Sequence, residues 1–179
     1  MKKLVTILPL VFLFCFMVSC QDKEAMEELE ELKAQAEVEE QNKALAIRYV
    51  EAFNKGDFDA FKELLSTDYA IYNPSGFPKP TSREKLIENY EMAMKAFTEF
   101  TWSIEDIIAA GDKVIIRVIA NGFYKGGVPG LPTKAKEFEF SLISIMRMEN
   151  GKVAEEWQED DQLGLARQLG MELKPKEAK

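Results

Sequence analysis

Histidine is absent from the sequence, and cysteine occurs only twice. Histidine is the commonest metal ligand in proteins and the only side chain whose unperturbed pKa lies near neutrality. We therefore expect no zinc site, although a site of carboxylates alone for a hard cation stays open. Any general acid or base must be a carboxylate, a lysine or a tyrosine with a shifted pKa.

Basic residues are also in short supply: 23 Lys and Arg stand against 31 Asp and Glu, for a net charge of -8. An acidic chain without a basic stripe is repelled by phosphate backbones and by anionic lipid headgroups. We therefore expect no nucleic-acid partner. Neutral and cationic partners remain compatible with this charge.

The first 20 residues have the layout of a lipoprotein signal peptide. Lys2 and Lys3 precede an apolar run over 4–18, which is shorter than the roughly 20 residues that cross a bilayer as a helix. The residues before Cys20 resemble a lipobox, so we expect cleavage before Cys20 and acylation of its thiol. Cys15 would leave with the leader, and Cys20 would have no disulfide partner. The alternative is an ordinary secretory peptide with an incidental cysteine.

This leader places the protein in the cell envelope, with membrane lipid as its first partner through Cys20. An outer-membrane location is expected if the cell is Gram-negative. After the signal peptide (1–19), residues 20–41 are rich in Glu, Lys, Ala and Gln and predict an acidic helical tether about 30 Å long. One domain over 42–171 and a charged tail over 172–179 complete the chain.

The first half of the domain predicts helices. Five apolar residues lie on one helical face, namely Leu45, Ala46, Tyr49, Val50 and Phe53. Asp57 is placed to cap a second, short helix. Thr81 and Glu84 form a capping box that predicts a third helix after the loop Asn73–Pro80.

The second half predicts strands over 102–108, 114–123, 137–148 and 153–159. Asn150-Gly151 is the strongest hairpin signal, because both central residues of a type I′ turn need positive φ. Helices followed by long antiparallel strands predict an α+β domain in which helices cover one face of a sheet. If that sheet curves strongly, it encloses a pocket.

The last strand carries the residues that could perform chemistry. Val153, Glu155, Trp157, Glu159 and Asp161 alternate, so regular pleating would place them on one face. If Trp157 lies in the interior, burial would raise the pKa of Asp161 toward the range useful for proton transfer. The competing interpretation is an edge strand whose acids face water. A bulge near Glu159 would also change the register.

The end of the chain resembles a known family. The segments 150–157, 161–164 and 167–170 look like the carboxy-terminal signature of SnoaL-like ester (polyketide) cyclases, members of the nuclear transport factor 2-like superfamily. The resemblance extends to 49–57, Arg117, Gly122 and the loop 130–133, and so covers essentially the whole domain.

The resemblance implies a nuclear transport factor 2-like cone, in which three helices pack on a strongly curved antiparallel sheet. It implies that Asp161 lines the cavity as general acid and base for an intramolecular aldol closure, without a cofactor. Many family members carry histidine where this chain has Asn73 and Tyr124, which could orient a ligand and donate a hydrogen bond to a carbonyl. Arg117 is expected to pair with Glu155 or another acid. Superfamily members also dimerise through the sheet.

The candidate site therefore has Asp161 as the catalytic residue and five ligand-binding residues, Asn73, Arg117, Tyr124, Glu155 and Trp157. Three functions follow from it. The first is an envelope lipoprotein that binds a small, largely apolar molecule. The second is a cofactor-free ester cyclase or isomerase that uses Asp161, and the third is an envelope protein-interaction module. Fold does not decide among them, because one fold hosts many functions.

Overall fold

The computed structural model describes the backbone of residues 2–74, 79–127 and 132–172, with side chains from residue 23 onward in those ranges. The chain divides into two compact units, Met1–Val38 and Glu39–Lys179. Helix α1 (Lys2–Lys55) is continuous through the predicted leader, tether and first domain helix. The Cys20 side chain, loop residues 128–131 and the tail from 173 lie outside the described part. Among the helices described with their side chains, none is long and apolar enough to cross a membrane.

The carboxy-terminal half of α1 buries the predicted apolar face. Ala46, Tyr49 and Phe53 are fully buried, and Leu45 and Val50 nearly so. Helix α1 ends where Gly56 takes a positive φ of 64°, a conformation that costs glycine little. The predicted role of the next acid is confirmed: Asp57 accepts a hydrogen bond of 3.0 Å from the Ala60 amide and caps α2 (Phe58–Leu64).

Helix α3 (Arg83–Ala96) begins one residue later than the predicted capping box requires. Its cap is Ser82, whose Oγ accepts from the Lys85 amide at 3.4 Å. The prediction that Thr81 is the cap is wrong because Thr81 pairs with Ile71 in the sheet. Its backbone therefore belongs to a strand, and the helix begins after it.

Six strands form one sheet in the order β2-β1-β6-β5-β4-β3. Their bounds are β1 (Leu65–Tyr72), β2 (Thr81–Ser82), β3 (Phe97–Ala110), β4 (Lys113–Tyr124), β5 (Lys136–Glu149) and β6 (Lys152–Asp160). A fourth helix, α4 (Gln162–Gln168), follows the last strand. The α+β class is confirmed.

The sheet is largely antiparallel, as the resemblance implies, and the exception is the pair β1 and β6, which run parallel to each other. Parallel neighbours need a long crossover connection. Here that connection is the rest of the domain, from β2 through β5. The parallel pair joins the first and last long strands.

A bulge in β6 decides which side chains face the helices. Asn150 and Gly151 both have positive φ, as the hairpin prediction requires. The pairing then shifts, because Met148 pairs with Val153 whereas Arg147 pairs with Glu155. Ala154 is thus an extra residue, and both it and Val153 are buried.

After the bulge, the even-numbered side chains of β6 point inward. Glu156 and Gln158 are buried, while Glu155, Trp157 and Glu159 lie on the outer face. The prediction that the odd-numbered residues share the inner face with Val153 is therefore wrong. The sequence pattern assumed regular pleating, and one inserted residue reverses it.

Candidate functional site

Near the closed end of the sheet, four side chains form a buried polar group that we call the Glu156 cluster. Tyr49 and Tyr69 donate to Glu156 Oε2 at 2.9 and 2.6 Å, and Ser144 donates to Oε1 at 2.6 Å. Burial raises the pKa of Glu156, and these three hydrogen bonds offset only part of that rise. Every oxygen of the carboxyl has a partner, so the cluster has the character of a structural unit.

Farther along the same face of β6, the structure encloses a cavity of about 300 Å³, which we call the inner cavity. Its walls come from β1, α3, β3, β5 and β6. Apolar side chains supply about half of the lining: Ile71, Leu86, Phe100, Trp102, Phe140 and Leu142. Gln158, Asp160 and Gln162 supply polar groups on one side.

Three polar atoms of cavity-lining residues are buried without a hydrogen-bond partner in the described part of the protein. They are Trp102 Nε1, Gln158 Oε1 and Asp160 Oδ1. A buried polar atom that lacks a partner costs about 1–3 kcal/mol. Such atoms are rare in native structures, and a bound molecule or ordered water that satisfies them is the usual explanation. Together they give the cavity one donor and two acceptors.

Asp160 is the carboxyl group of this cavity. Burial is the main cause that raises its pKa, and the negative charges of Glu159 and Asp161 raise it further. A hydrogen bond from Gln162 acts in the opposite direction. A raised pKa brings a carboxyl toward the range in which it exchanges protons at neutral pH.

Tyr90 connects the inner cavity with the Glu156 cluster. It lines the cavity from α3 and hydrogen-bonds to Tyr49, which belongs to the cluster. Burial and the charge of Glu156 raise the pKa of Tyr90 well above its ordinary value. Tyr90 is therefore a neutral hydroxyl at any physiological pH.

Trp102 is held in place by the end of helix α1. Asn54 Nδ2 donates to the Trp102 carbonyl at 2.9 Å, and the Trp102 amide donates to Asn54 Oδ1 at 2.8 Å. Phe53 stacks on the indole at a centroid distance of 4.1 Å. The sequence patterns identified neither Trp102 nor Asn54 as a candidate site residue.

The predicted catalytic residue lies outside the cavity lining. Asp161 is exposed and caps α4, where its Oδ1 accepts from the Gly164 amide at 2.7 Å. The prediction that burial raises its pKa beside Trp157 is therefore not supported by the geometry. The preceding residue, Asp160, occupies the cavity wall instead, because the bulge turns the even positions inward.

Three other predicted residues lie on the outer face of the sheet. Trp157 stacks on Tyr72 with ring centroids 6.0 Å apart. Glu155 pairs with Arg147 rather than with Arg117. Arg117 pairs with Asp106 on β3 at 2.6 Å, and both side chains are largely exposed. None of the three belongs to the lining of the inner cavity, and the shifted register of β6 turns the odd-numbered positions of that strand to the outer face.

Asn73 and Tyr124, which the resemblance places where many family members carry histidine, lie in different environments. Asn73 lines the mouth of the inner cavity, and its Oδ1 accepts from Gln162 Nε2 at 3.4 Å. Tyr124 is fully buried, and its hydroxyl donates to the Pro132 carbonyl at 2.9 Å. It packs in a second apolar cluster with Phe138 and Leu169. Tyr124 is thus a packing residue, whereas Asn73 is available to a ligand.

A second, more open depression of about 650 Å³ lies near the start of β3 and includes Glu99, Glu137 and Glu139. Within the described part of the chain, none of the buried polar atoms that lack a hydrogen-bond partner belongs to a residue lining this depression. Across the described residues there is also no group of three acidic, histidine or cysteine side chains placed to hold a metal ion. The inner cavity is therefore the stronger candidate site.

Comparison with known proteins identifies relatives of the domain. The family model described as SnoaL-like polyketide cyclase matches residues 43–169. No curated protein matches the chain. AclR from Streptomyces galilaeus, described as a putative hydroxylase, has a similar structure with a TM-score of 0.66. It is 24% identical and the match covers 74% of this chain and 97% of AclR, which supports the fold alone.

Two further solved structures are somewhat more similar in sequence. IdmH from Streptomyces antibioticus, described as a putative polyketide cyclase, is 27% identical over 73% of this chain and 99% of its own, with a TM-score of 0.65. TsrD from Streptomyces laurentii is 28% identical over 73% of this chain and 95% of its own, with a TM-score of 0.63. The matches span nearly the full length of each relative.

Proposed function

This chain belongs to the SnoaL-like polyketide cyclase family, and we propose that its inner cavity binds a small, largely apolar organic molecule. The observation that carries the proposal is that three buried polar atoms without partners, Trp102 Nε1, Gln158 Oε1 and Asp160 Oδ1, all belong to residues that line this one cavity. A ligand that satisfied them would recover part of the cost of burying them. The volume of the inner cavity, about 300 Å³, is at the lower end of the range for small-molecule sites.

A pair of matched variants tests this proposal. Trp102→Phe keeps an aromatic ring but removes the indole N–H, so we expect ligand affinity to fall about tenfold, the cost of one hydrogen bond. Trp157→Phe makes the same change on the outer face and should leave affinity unchanged. The ligand would first be sought by native mass spectrometry of the purified protein. Equal affinities in both variants would contradict a role for Trp102 in binding.

A second candidate function is cofactor-free acid–base catalysis, and the observation that favours it is the position of Asp160. Its carboxyl lines the cavity with a raised pKa. In an aldol closure, Asp160 would take a proton from the carbon beside a carbonyl. That carbon would bond to a second carbonyl carbon, and the alkoxide formed there would take the proton back from Asp160. Trp102 N–H would stabilise the developing oxyanion.

The adjacent acids provide the control for this second candidate. Asp160→Asn should abolish turnover while leaving the thermal stability of the protein in place. Asp161→Asn should retain turnover, because Asp161 caps α4 and lies outside the cavity lining. If the Asp161 variant is the inactive one, the family resemblance assigned the acid correctly and the geometric assignment is wrong.

We also propose that acylated Cys20 anchors the protein in the cell envelope. The support is the sequence alone: two lysines, an apolar run and a cysteine at the expected cleavage point. This location would place the cavity away from cytoplasmic biosynthetic intermediates, which favours binding over polyketide cyclisation. Palmitate labelling of the wild type, absent in Cys20→Ala, together with globomycin-sensitive processing would support the anchor. A mature protein without lipid at Cys20 would overturn it.

The outer face of the sheet supports a proposal for a partner, a second copy of the same chain. The strand register places five apolar residues in one row across it, namely Ile108, Ile115, Ile145, Trp157 and Tyr72. Several of them are substantially exposed, Ile108 to 60%. An exposed apolar row of this length on a sheet is typical of an interface.

The charges beside that row are self-complementary. Lys113 and Arg117 on β4 lie in register with Glu155 and Glu159 on β6, with β5 midway between each pair. A two-fold axis along β5 would therefore bring the basic residues of one copy opposite the acidic residues of the other. Ile145→Asp, near that axis, should shift a dimer to monomer in analytical ultracentrifugation. A wild-type protein that stays monomeric at high concentration would overturn this proposal.

A further inference from the structure

The charges around the inner cavity are of one sign. Asp160 is the charged side chain in its described lining, which contains neither lysine nor arginine. Glu159 and Asp161 flank Asp160, and Glu156 lies deeper on the same face. A negatively charged ligand would therefore meet repulsion without any compensating cation.

The unpartnered atoms require donors more than acceptors. Gln158 Oε1 and Asp160 Oδ1 are both acceptors, and they lie two positions apart on one strand face, about 7 Å along β6. Gln158 is only 4% exposed, so its amide oxygen depends on a ligand or an ordered water for a partner. An ammonium group brings three N–H donors and a positive charge to this end of the cavity.

The cavity lining is also rich in aromatic residues. Tyr90, Phe100, Trp102 and Phe140 belong to it. Aromatic rings attract a cation through their quadrupole, and they also bury the apolar body of a ligand. The one unpartnered donor, Trp102 Nε1, calls for an oxygen on the same ligand. Acidic and aromatic groups together are the chemistry that recognises an organic ammonium ion.

We propose that the inner cavity is selective for small protonated amines that carry an oxygen acceptor, with Asp160 and Gln158 holding the ammonium group and Trp102 the oxygen. This inference rests on the proposed binding function and adds the chemical class of the ligand. The net negative charge of the chain would favour such ligands, because a negative field concentrates cations near the cavity.

The proposal makes binding dependent on pH. Burial raises the pKa of Asp160, and a bound ammonium ion would oppose that rise by favouring the ionised carboxylate. The other titratable groups near it are Glu159, Asp161, Tyr90 on α3 and Glu156. Amine affinity should therefore rise with pH through the range in which Asp160 ionises.

Three probes of nearly equal size and different charge test the proposal on the full-length protein in detergent, by isothermal titration calorimetry. Tyramine is the cation, tyrosol its neutral alcohol analogue and 4-hydroxyphenylpropionate the anion. We expect tyramine to bind about tenfold more tightly than tyrosol, and the anion to bind too weakly to measure. Repeating the tyramine titration at several pH values would test the predicted pH dependence.

Variants assign the selectivity to a residue. Asp160→Asn, which keeps the side-chain shape, should lower tyramine affinity to that of tyrosol and leave tyrosol unaffected. Glu159→Gln removes the neighbouring charge on the outer face and should have a much smaller effect. If tyrosol or the anion binds as tightly as tyramine, the cation selectivity is wrong while the cavity still binds ligands. If none of the three probes binds, both this inference and the binding function for molecules of this size are overturned.

Discussion

The Glu156 cluster and the inner cavity lie side by side on one face of the sheet, and each contains an acidic residue of β6. In the cluster, both carboxyl oxygens of Glu156 accept hydrogen bonds from hydroxyl groups. In the cavity, Asp160 Oδ1 and two further polar atoms have no partner among the described residues. Burial raises the pKa of both acids. A shifted pKa therefore does not by itself distinguish a functional acid from a structural one, whereas unsatisfied hydrogen-bonding capacity does.

The largest effect on stability should come from removing the carboxyl group of the Glu156 cluster. Glu156→Ala leaves the hydroxyls of Tyr49, Tyr69 and Ser144 buried without their acceptor, so we expect a loss of about 3–5 kcal/mol in the free energy of unfolding. Urea denaturation would measure it. Glu156→Gln keeps an oxygen acceptor and should lose clearly less. Equal losses in the two variants would contradict the account of the cluster as a hydrogen-bonded unit.

The pH dependence of stability should differ between wild type and Glu156→Gln. Because the folded-state pKa of Glu156 is raised, its contribution to stability is fully present below the ordinary pKa of about 4.5 and is lost as pH rises through the folded-state value. The stability deficit of Glu156→Gln relative to wild type should therefore shrink from pH 4.5 toward neutrality. Parallel stability curves for the two proteins would show that the pKa of Glu156 is the same in the folded and unfolded states.

A smaller effect is expected at the acid next to the cavity wall. Asp161→Ala removes the cap of α4 and should cost about 1 kcal/mol of unfolding free energy, without changing ligand affinity. Thermal unfolding and calorimetry on the same variant would measure the two quantities. Loss of ligand binding at full thermal stability would place Asp161 in the site, contrary to the observed geometry.

The smallest effect on stability should come from Asp160→Asn. The carboxyl is only half-buried and one of its oxygens has no partner, so an isosteric amide should change the unfolding free energy by no more than about 0.5 kcal/mol. Urea denaturation at pH 7 would measure it alongside ligand affinity, which should fall. A loss comparable with that of Glu156→Ala would make Asp160 a structural residue like Glu156.

Most of the fold could be predicted from local sequence signals. The apolar face of α1, the Asp57 cap and the Asn150-Gly151 turn are each set by neighbouring residues, and the structure confirms them. The cap of α3 was predicted one residue early. Its position depends on pairing between Thr81 and Ile71, which are ten residues apart and joined through a loop.

The candidate site was predicted on the wrong face, because a single extra residue decides the orientation of β6. The sequence shows a clean alternation from Val153 onward, and nothing in it marks Ala154 as a bulge. As a result Asp160 replaces Asp161 in the cavity wall. Trp102 was missed for a related reason: its role depends on the clamp from Asn54, 48 residues earlier in the chain.

Helix α4 covers a segment of β5 that has a neighbouring strand on one side only. Residues 136–141 of β5 pair with β4 on one side, whereas pairing with β6 begins only at Leu142. On that side Gln168 bonds to both the amide and the carbonyl of Glu139, at 3.0 and 2.6 Å, as a neighbouring strand would. A chain cut after β6 would present this edge, with its alternating phenylalanines, to other chains. Such a fragment should aggregate by strand addition, so α4, once folded, also protects this strand edge against self-association.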